Sequence, residues 1–272
     1  MKEKLNIYGL KLIGFLVAIL SIFPLIWMAM AGFKKESEVL SYPFKFFPSE
    51  WILTNYIELL QNPAFMRSIG LTLFVAVVAT TLIIFINSMA AYVFARLEFP
   101  TKNFWWLYVI MTLFIPSMAI LIPSYIVVAK LHMLNTIYVL IIPGIASAMN
   151  VFLIRQFYLN IPTELEDAAF IDGANRFKIY WYIFLPLSVP VFVLVGITAF
   201  LGYWNSLIWP IMTISDERLY QIMQLLAYFR SDQGNDWAMI MAGSTIAAIP
   251  VIVLFLIFQR HLIEGIKISG IK

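Results

Sequence analysis

Six stretches of this chain, residues 11–32, 68–95, 105–129, 136–155, 182–213 and 238–259, carry no Asp, Glu, Lys or Arg in their interiors. A helix crossing about 30 Å of hydrocarbon needs about 20 such residues, because each adds only about 1.5 Å of rise. Inside lipid every backbone amide and carbonyl must find a partner, which restricts spanning segments to helices or closed barrels. Runs this long and this apolar are helical. The expected fold is therefore all-α, a polytopic membrane protein with six transmembrane helices. Only 12% of the residues are charged, against about 25% for a soluble domain, so a water-soluble fold is excluded.

The remaining composition removes other classes. A formal net charge of +3 is too small to hold nucleic acid. The chain has no cysteine, which rules out disulfides, thiol catalysis and Cys-ligated metal. Met1-Lys-Glu-Lys-Leu leads into the first apolar run without a small-residue cleavage site, so that run is expected to be a retained span. Neither a repeat nor a low-complexity tract interrupts the pattern. Residues 1–272 are expected to form a single integral membrane domain.

Six crossings put both termini on one side. With the N-terminus in the cytoplasm, Lys2, Lys4, Lys11, Arg96, Lys102, Arg155, Arg176, Lys178, Arg260, Lys267 and Lys272 lie inside. Lys34, Lys35, Lys45, Arg67, Lys130, Arg218 and Arg230 lie outside, a modest bias in the direction the positive-inside rule requires. Trp105, Trp106, Trp181 and Trp209 fall where interfacial aromatic belts are expected. Pro116, Pro123, Pro143, Pro190 and Pro250 are expected to kink their spans. Two external segments exceed simple turns: 33–67, expected to be a partly ordered loop, and 214–237, with a short helix over Tyr220–Phe229.

One polar insert, residues 162–186 between the fourth and fifth stretches, is not explained by membrane insertion. Thr163 followed by Glu166 has the spacing of a capping box, which predicts a helix start. Asp172-Gly173 predicts its end, since glycine adopts the positive φ of a helix C-terminal turn without penalty. A second amphipathic stretch then enters the fifth span. Ala168 and Ala169 are small enough for close approach by another surface, and Glu164, Glu166, Asp167 and Asp172 offer acceptors to basic groups on it. A helix lying on lipid headgroups would favour Lys and Arg instead. The pattern points to a docking elbow for a soluble partner.

The spacing of Asp167-Ala168-Ala169, Gly173, Ile183 and Leu185-Pro186 resembles the signature of permease subunits of bacterial ATP-binding-cassette importers. Phe152-Leu-Ile-Arg155-Gln156-Phe157, Ile161-Pro162, Glu164-Leu165, Trp204-Asn205, Trp209-Pro210 and the tail from Gln259-Arg260 to Glu264-Gly265 are similar to its carbohydrate-uptake, maltose-type branch. The one departure is Asp167, where the family has glutamate. The resemblance implies that a cytoplasmic coupling segment, with Glu164, Glu166, Asp167, Ala168, Ala169, Asp172, Gly173 and Phe177, seats in a dimeric ATP-binding subunit. It implies a second contact through the tail residues Gln259, Arg260, Glu264 and Gly265. It further implies a second permease as heterodimer partner, an extracytoplasmic solute-binding protein reached by the 214–237 loop, and a sugar as solute. ATP and Mg are bound by the partner ATPase, and no cofactor or metal is bound by this chain.

Polar groups inside the spans are the places where a sugar could touch the wall: Asn87, Ser88, Ser117, Ser147, Asn150 and Thr198. Such groups also serve helix–helix packing in any membrane protein; Asn205 is expected to be structural. No G-x-x-x-x-G-K-[ST] run occurs, so ATP is not held here by a P-loop. His132 and His261 lie in no catalytic or metal pattern. An ion-coupled secondary transporter is the alternative, but it needs buried ionisable groups and repeats, neither of which the sequence offers. An embedded enzyme lacks a nucleophile, base or metal cluster. The expected function is half of an import pathway, moved between inward and outward access by a partner's ATP hydrolysis.

Overall fold

Prolines and polar breaks decide where this helical chain bends. The computed structural model describes residues 2–229 and 236–269, with side chains for 9–229 and 236–260. Its helices are α1 (Lys2–Ala31), α2 (Glu36–Val39), α3 (Thr54–Gln61), α4 (Pro63–Arg96), α5 (Lys102–Thr112), α6 (Ser117–Lys130), α7 (Ile137–Ile141), α8 (Ala148–Leu159), α9 (Glu164–Ile171), α10 (Arg176–Ile179), α11 (Leu185–Leu187), α12 (Val189–Trp204), α13 (Ile208–Thr213), α14 (Ile222–Phe229) and α15 (Trp237–Ser269). The segments Gly9–Ala31, Pro63–Arg96 and Trp237–Arg260 are each long and apolar enough to cross a membrane.

The other three expected spans are bent pairs. Lys102–Thr112 meets Ser117–Lys130 at 104°, Ile137–Gly144 meets Ala148–Leu159 at 46°, and Arg176–Leu187 meets Val189–Trp204 at 76°. Counting each pair as one crossing gives six. The bends have local causes. Pro116 takes an extended ψ of 134° and has no amide to donate, which separates α5 from α6. Pro143 sits in a 3-10 turn after α7. Pro186 denies an amide to the carbonyl four residues earlier, and a π-helical turn over Tyr180–Phe184 precedes it. The stretch 182–213, expected as one tilted helix, is thus divided at Ser188 and again at Asn205. Asn205 caps the end of α12 with its amide on the Leu201 carbonyl, a structural role.

The chain divides into two compact units, one comprising the chain up to Arg67 with Leu225–Pro250, the other Ser68–Gln224 with the chain from Val251 on. In the first, segment 33–67 contains α2 and α3 and is tied back to the end of α1. Asn55 Nδ2 donates to the carbonyls of Gly32 and Lys34 at 2.9 and 3.1 Å, and Tyr56 Oη donates to Ala29 O at 2.9 Å. Gly32 is required there: a Cβ would stand 2.5 Å from Tyr56 Oη and 2.9 Å from the Ala242 backbone. The buried Lys34 ammonium donates to the Lys45 carbonyl. Glu36 accepts from the Ala238 amide at 2.9 Å, placing a carboxylate at the N-terminus of α15.

The second unit has its core where α4, α8, the π-helical turn and α12 meet. Phe184 is fully buried between Tyr92 and Tyr158, with ring centroids 4.8 and 5.0 Å away in edge-to-face geometry. Ile154, Ile179, Val191 and Val195 are among the other members of this cluster. The expected short helix near 220–229 is α14. Ile222, Gln224, Leu225 and Leu226 are buried, and among the described residues of segment 214–237 the exposed ones are 215–218. Residues 230–235 of the same segment lie outside the described residues.

Candidate functional site

The elbow forms at the positions its sequence marks, by means that partly differ from the expected ones. α9 starts at Glu164, but Thr163 makes no side-chain cap. Its carbonyl instead accepts from the amides of Glu166 and Asp167 at 2.9 and 3.0 Å. The capping-box pairing is absent because the Glu166 carboxylate is turned the other way. At the far end Gly173 has φ +79°, and the amides of Gly173 and Ala174 reach back to the carbonyls of Phe170 and Ala169 at 3.0 and 2.9 Å. This is a Schellman stop built on a left-handed glycine. Asn175 then caps α10, its Oδ1 accepting from the Lys178 amide at 2.9 Å.

Glu166 is 5% exposed and lies between two guanidiniums. Arg96 Nε stands 3.0 Å from Oε1, and Arg176 Nη1 stands 3.7 Å from Oε2. The first contact is an ion pair by distance without hydrogen-bond alignment. Glu166 is therefore not an acceptor offered to a partner, which corrects that expectation. Burial pushes its carboxyl above the usual carboxylate range, outweighing the opposing pull of Arg96 and Arg176. A carboxyl raised on folding binds more protons folded than unfolded in the window just above its ordinary value. Stability is thus expected to fall as pH rises through that window. Thermal melting of wild type and Glu166→Gln across pH 4–7.5 should show the slope in the wild type and a flatter profile in the variant.

Arg96 does more than pair with the elbow. Its Nη2 donates to Tyr158 O at 2.7 Å and to Ile161 O, and its guanidinium lies 5.3 Å from the Phe184 ring centroid. A cation on the terminal carbonyls of α8 is favoured by the helix dipole. Arg155 answers from α8, with Nε donating to Phe94 O near the end of α4 at 3.1 Å and its guanidinium 4.1 Å over Trp106. Each helix thus lends an arginine to the end of the other. Trp106 packs under the Arg155 guanidinium, and Trp209 donates Nε1 to Val139 O at 2.9 Å, so both rings are held by the chain. Nothing in the sequence assigns this role to Arg96 or Arg155, because their partners lie some sixty residues away and leave no local pattern.

What the elbow presents is mixed acidic and apolar. Glu164, Asp167, Ala168, Asp172, Gly173 and Phe177 are exposed, and Ala169 is half-buried. Ile171, not singled out from the sequence, is 86% exposed at the tip, with Leu165 and Phe170 also open. Arg176 lies 4.5 Å from the Phe170 centroid, and Phe177 stacks on Trp181 at 6.0 Å. The second expected contact is only partly described: Gln259 and Arg260 are exposed on α15, while the surroundings of Glu264 and Gly265 lie outside what is described.

The expected pathway residues separate into two groups. Asn87 is buried, donates to the carbonyls of Ile83 and Ile145 at 2.6 and 2.8 Å, and accepts from the Ser147 amide at 2.9 Å. Ser88 is buried against Tyr180 Oη at 2.7 Å. Thr198 bonds back to its own helix at Leu194 and Val195. All three spend hydrogen bonds within the protein, Asn87 and Ser88 from buried positions and Thr198 from an exposed one. Ser117, Ser147 and Asn150, by contrast, line one cavity of about 370 Å³. Among the described residues no cluster of three His, Asp or Glu is placed to hold a metal.

Comparison with known proteins gives the family. The probable ABC transporter permease protein YurM of Bacillus subtilis is 34% identical, over 95% of this chain and 86% of the relative. The arabinooligosaccharides transport system permease protein AraQ of Halalkalibacterium halodurans is 31% identical over 96% of this chain and 95% of its own length. A bacterial ABC transporter involved in import of the acidic polysaccharide alginate shares the fold, with a TM-score of 0.82 at 19% identity, covering 95% of this chain and 96% of that one. Residues 87–268, a span that includes the elbow and the clasp, match the model of the binding-protein-dependent transport system inner membrane component, and the chain belongs to that family.

Proposed function

We propose that this permease is one of two membrane halves of an ATP-driven importer of carbohydrates, with both termini and the elbow in the cytoplasm. The observation that carries the reading is the elbow itself. Its tip is open, with Ile171, Phe170 and Asp167 exposed, while its root is tied through Glu166 to Arg96 and so to the ends of α4 and α8. A surface free to be gripped and anchored to two spans transmits rigid-body motion. The gripping partner is a dimeric ATP-binding subunit, which supplies all nucleotide chemistry and holds ATP and Mg. This chain is then a transducer and a pathway wall, without catalysis of its own.

A carbohydrate solute is supported by the relatives' names, which include permeases for arabinooligosaccharides and for trehalose and maltose. A solute-binding protein delivers the sugar on the external face; a solved structure of similar fold is described as in complex with an alginate-pentasaccharide-bound periplasmic protein. Six spans are too few to enclose such a solute, so a second permease closes the path.

The reading is tested in vesicles holding this chain with its partner permease, ATP-binding subunit and binding protein. Uptake is expected only with ATP inside the compartment where the elbow lies. Uptake driven by a proton or sodium gradient without ATP would assign the chain to secondary transport instead.

A further inference from the structure

The loop between α2 and α3 turns aromatic rings away from the protein. Tyr42 is 98% exposed, Phe47 is 65% exposed, and Phe44 and Trp51 are open as well. Yet the loop has a fixed shape. The Ile52 amide donates to the Phe33 carbonyl at 2.9 Å, which returns the chain to the end of α1. Glu38 Oε1 accepts from the Ser49 amide and from Ser49 Oγ at 2.8 and 2.7 Å, and the buried Lys34 ammonium holds the Lys45 carbonyl. Large rings left open on a loop whose polar groups are tied to one another mark an interaction surface.

Depth decides what covers them. Phe46 stacks on Phe23 of α1 with ring centroids 5.4 Å apart, and the Phe44 ring lies 6.2 Å from that of Trp27. At about 1.5 Å per residue, Phe23 lies about 12 Å and Trp27 about 6 Å inside the end of the apolar span Gly9–Ala31. The loop therefore runs beside the last turns of a membrane-crossing helix, not above it. Its backbone sets the opposite limit. Among the described residues, the amides of Phe44, Lys45, Phe46 and Phe47 donate to no group of the chain. Hydrocarbon does not tolerate unpaired amides. The boundary between headgroups and acyl chains offers water to the amides and apolar contact to the rings, and Trp and Tyr collect there in membrane proteins. Exposed Lys45 adds a cation at the level of the lipid phosphates. A partner protein covering the same rings would have to pair those amides itself.

We propose that residues 42–51 form an interfacial anchor, seated among the headgroups and first acyl carbons of phospholipid on the face where α1 ends. In the proposed orientation that face is the outer leaflet. The anchor sets the height of α1 in the bilayer through a loop rather than through the helix itself. It goes beyond the import reading and takes from it only the name of the leaflet.

The chain has no cysteine, so single labels report depth directly. The complete importer, with cysteine-free partner subunits, is reconstituted in proteoliposomes of equal parts phosphatidylethanolamine and phosphatidylglycerol. Nitroxide labels are attached singly through Tyr42→Cys, Phe47→Cys and, as an aqueous control on exposed α2, Ser37→Cys. Each is read for collision with oxygen, which concentrates in lipid, and with a water-soluble nickel chelate present on both sides. At positions 42 and 47 collisions with oxygen are expected to exceed those with nickel, and at position 37 the order is expected to reverse. Nickel dominating at 42 and 47 would place the loop in water and overturn the anchor. Weak collision with both reagents would place the rings under a partner protein and equally overturn it. ATP-driven uptake by the same labelled importers confirms that each variant is folded and tests the import reading separately.

Discussion

Arg96→Ala is expected to be the most damaging single substitution outside the spans' interiors, lowering stability by about 3–5 kcal/mol, the usual loss when one partner of a buried charge pair is removed. The variant leaves Glu166 buried with only the more distant Arg176, and leaves the carbonyls of Tyr158 and Ile161 without their shared donor. It should appear as a sharp fall in the monodisperse, folded fraction after detergent extraction and in the melting temperature. Adding Glu166→Gln to Arg96→Ala should recover part of the loss, because the uncompensated charge is then gone. Full recovery is not expected, since the Tyr158 and Ile161 carbonyls still lack the guanidinium donor, although Tyr158 O keeps the Ile161 amide. If the double variant is no more stable than Arg96→Ala alone, the carboxylate is not the partner that matters, and the tie between elbow and spans fails with it.

The second large effect is on transport rather than folding. Gly173→Asp is expected to lower ATP-driven uptake about 10-fold or more, with the chain still inserted at normal levels. Holding a non-glycine residue in a sparsely populated backbone region costs about 1–3 kcal/mol, enough to distort a local turn without unfolding the spans. Within the chain nothing lies within 4 Å of a Cβ at this position, so the fold itself has room for the side chain. Gly173→Asn separates two causes, because asparagine adopts left-handed φ readily. A turn that survives with Asn while transport fails would locate the requirement at the partner's surface. Normal uptake by Gly173→Asp would remove the elbow from the coupling route.

Much of the fold was legible because lipid imposes a local rule: long uncharged runs announce themselves residue by residue. The elbow's limits were legible for the same reason, since Gly173 carries its own turn chemistry. What stayed hidden is what depends on distant residues. Pro116 and Pro143 were expected as kinks and stand at bends, whereas Pro123 and Pro250 lie inside continuous helices and the bend after Pro186 was not expected; the angles depend on packing against other helices. Segment 33–67 was expected to be partly loose because its prolines and charges resemble a solvated loop. Asn55, Tyr56 and Lys34 instead find carbonyls 11 to 27 residues away along the chain. Glu166 was assigned to a partner on the strength of its neighbours, when its counter-charge stood seventy residues earlier in the chain. Ser117, Ser147 and Asn150 share a cavity that hydropathy cannot reveal, while Asn87, Ser88 and Thr198, equally polar, close on the protein itself.

The exchange of arginines between α4 and α8 sets a fulcrum. With Arg96 on the α8 carbonyls and Arg155 on the α4 carbonyl, the two rods cannot part at that end without breaking charge-assisted bonds on both. Any scissoring between them must be widest at the opposite end. The stretch 68–96 of α4 is about 43 Å long at about 1.5 Å per residue, so a swing of about 10° about the pinned end displaces the other by about 7 Å. A small pull where the joint is stiff becomes a wide opening where solute would enter.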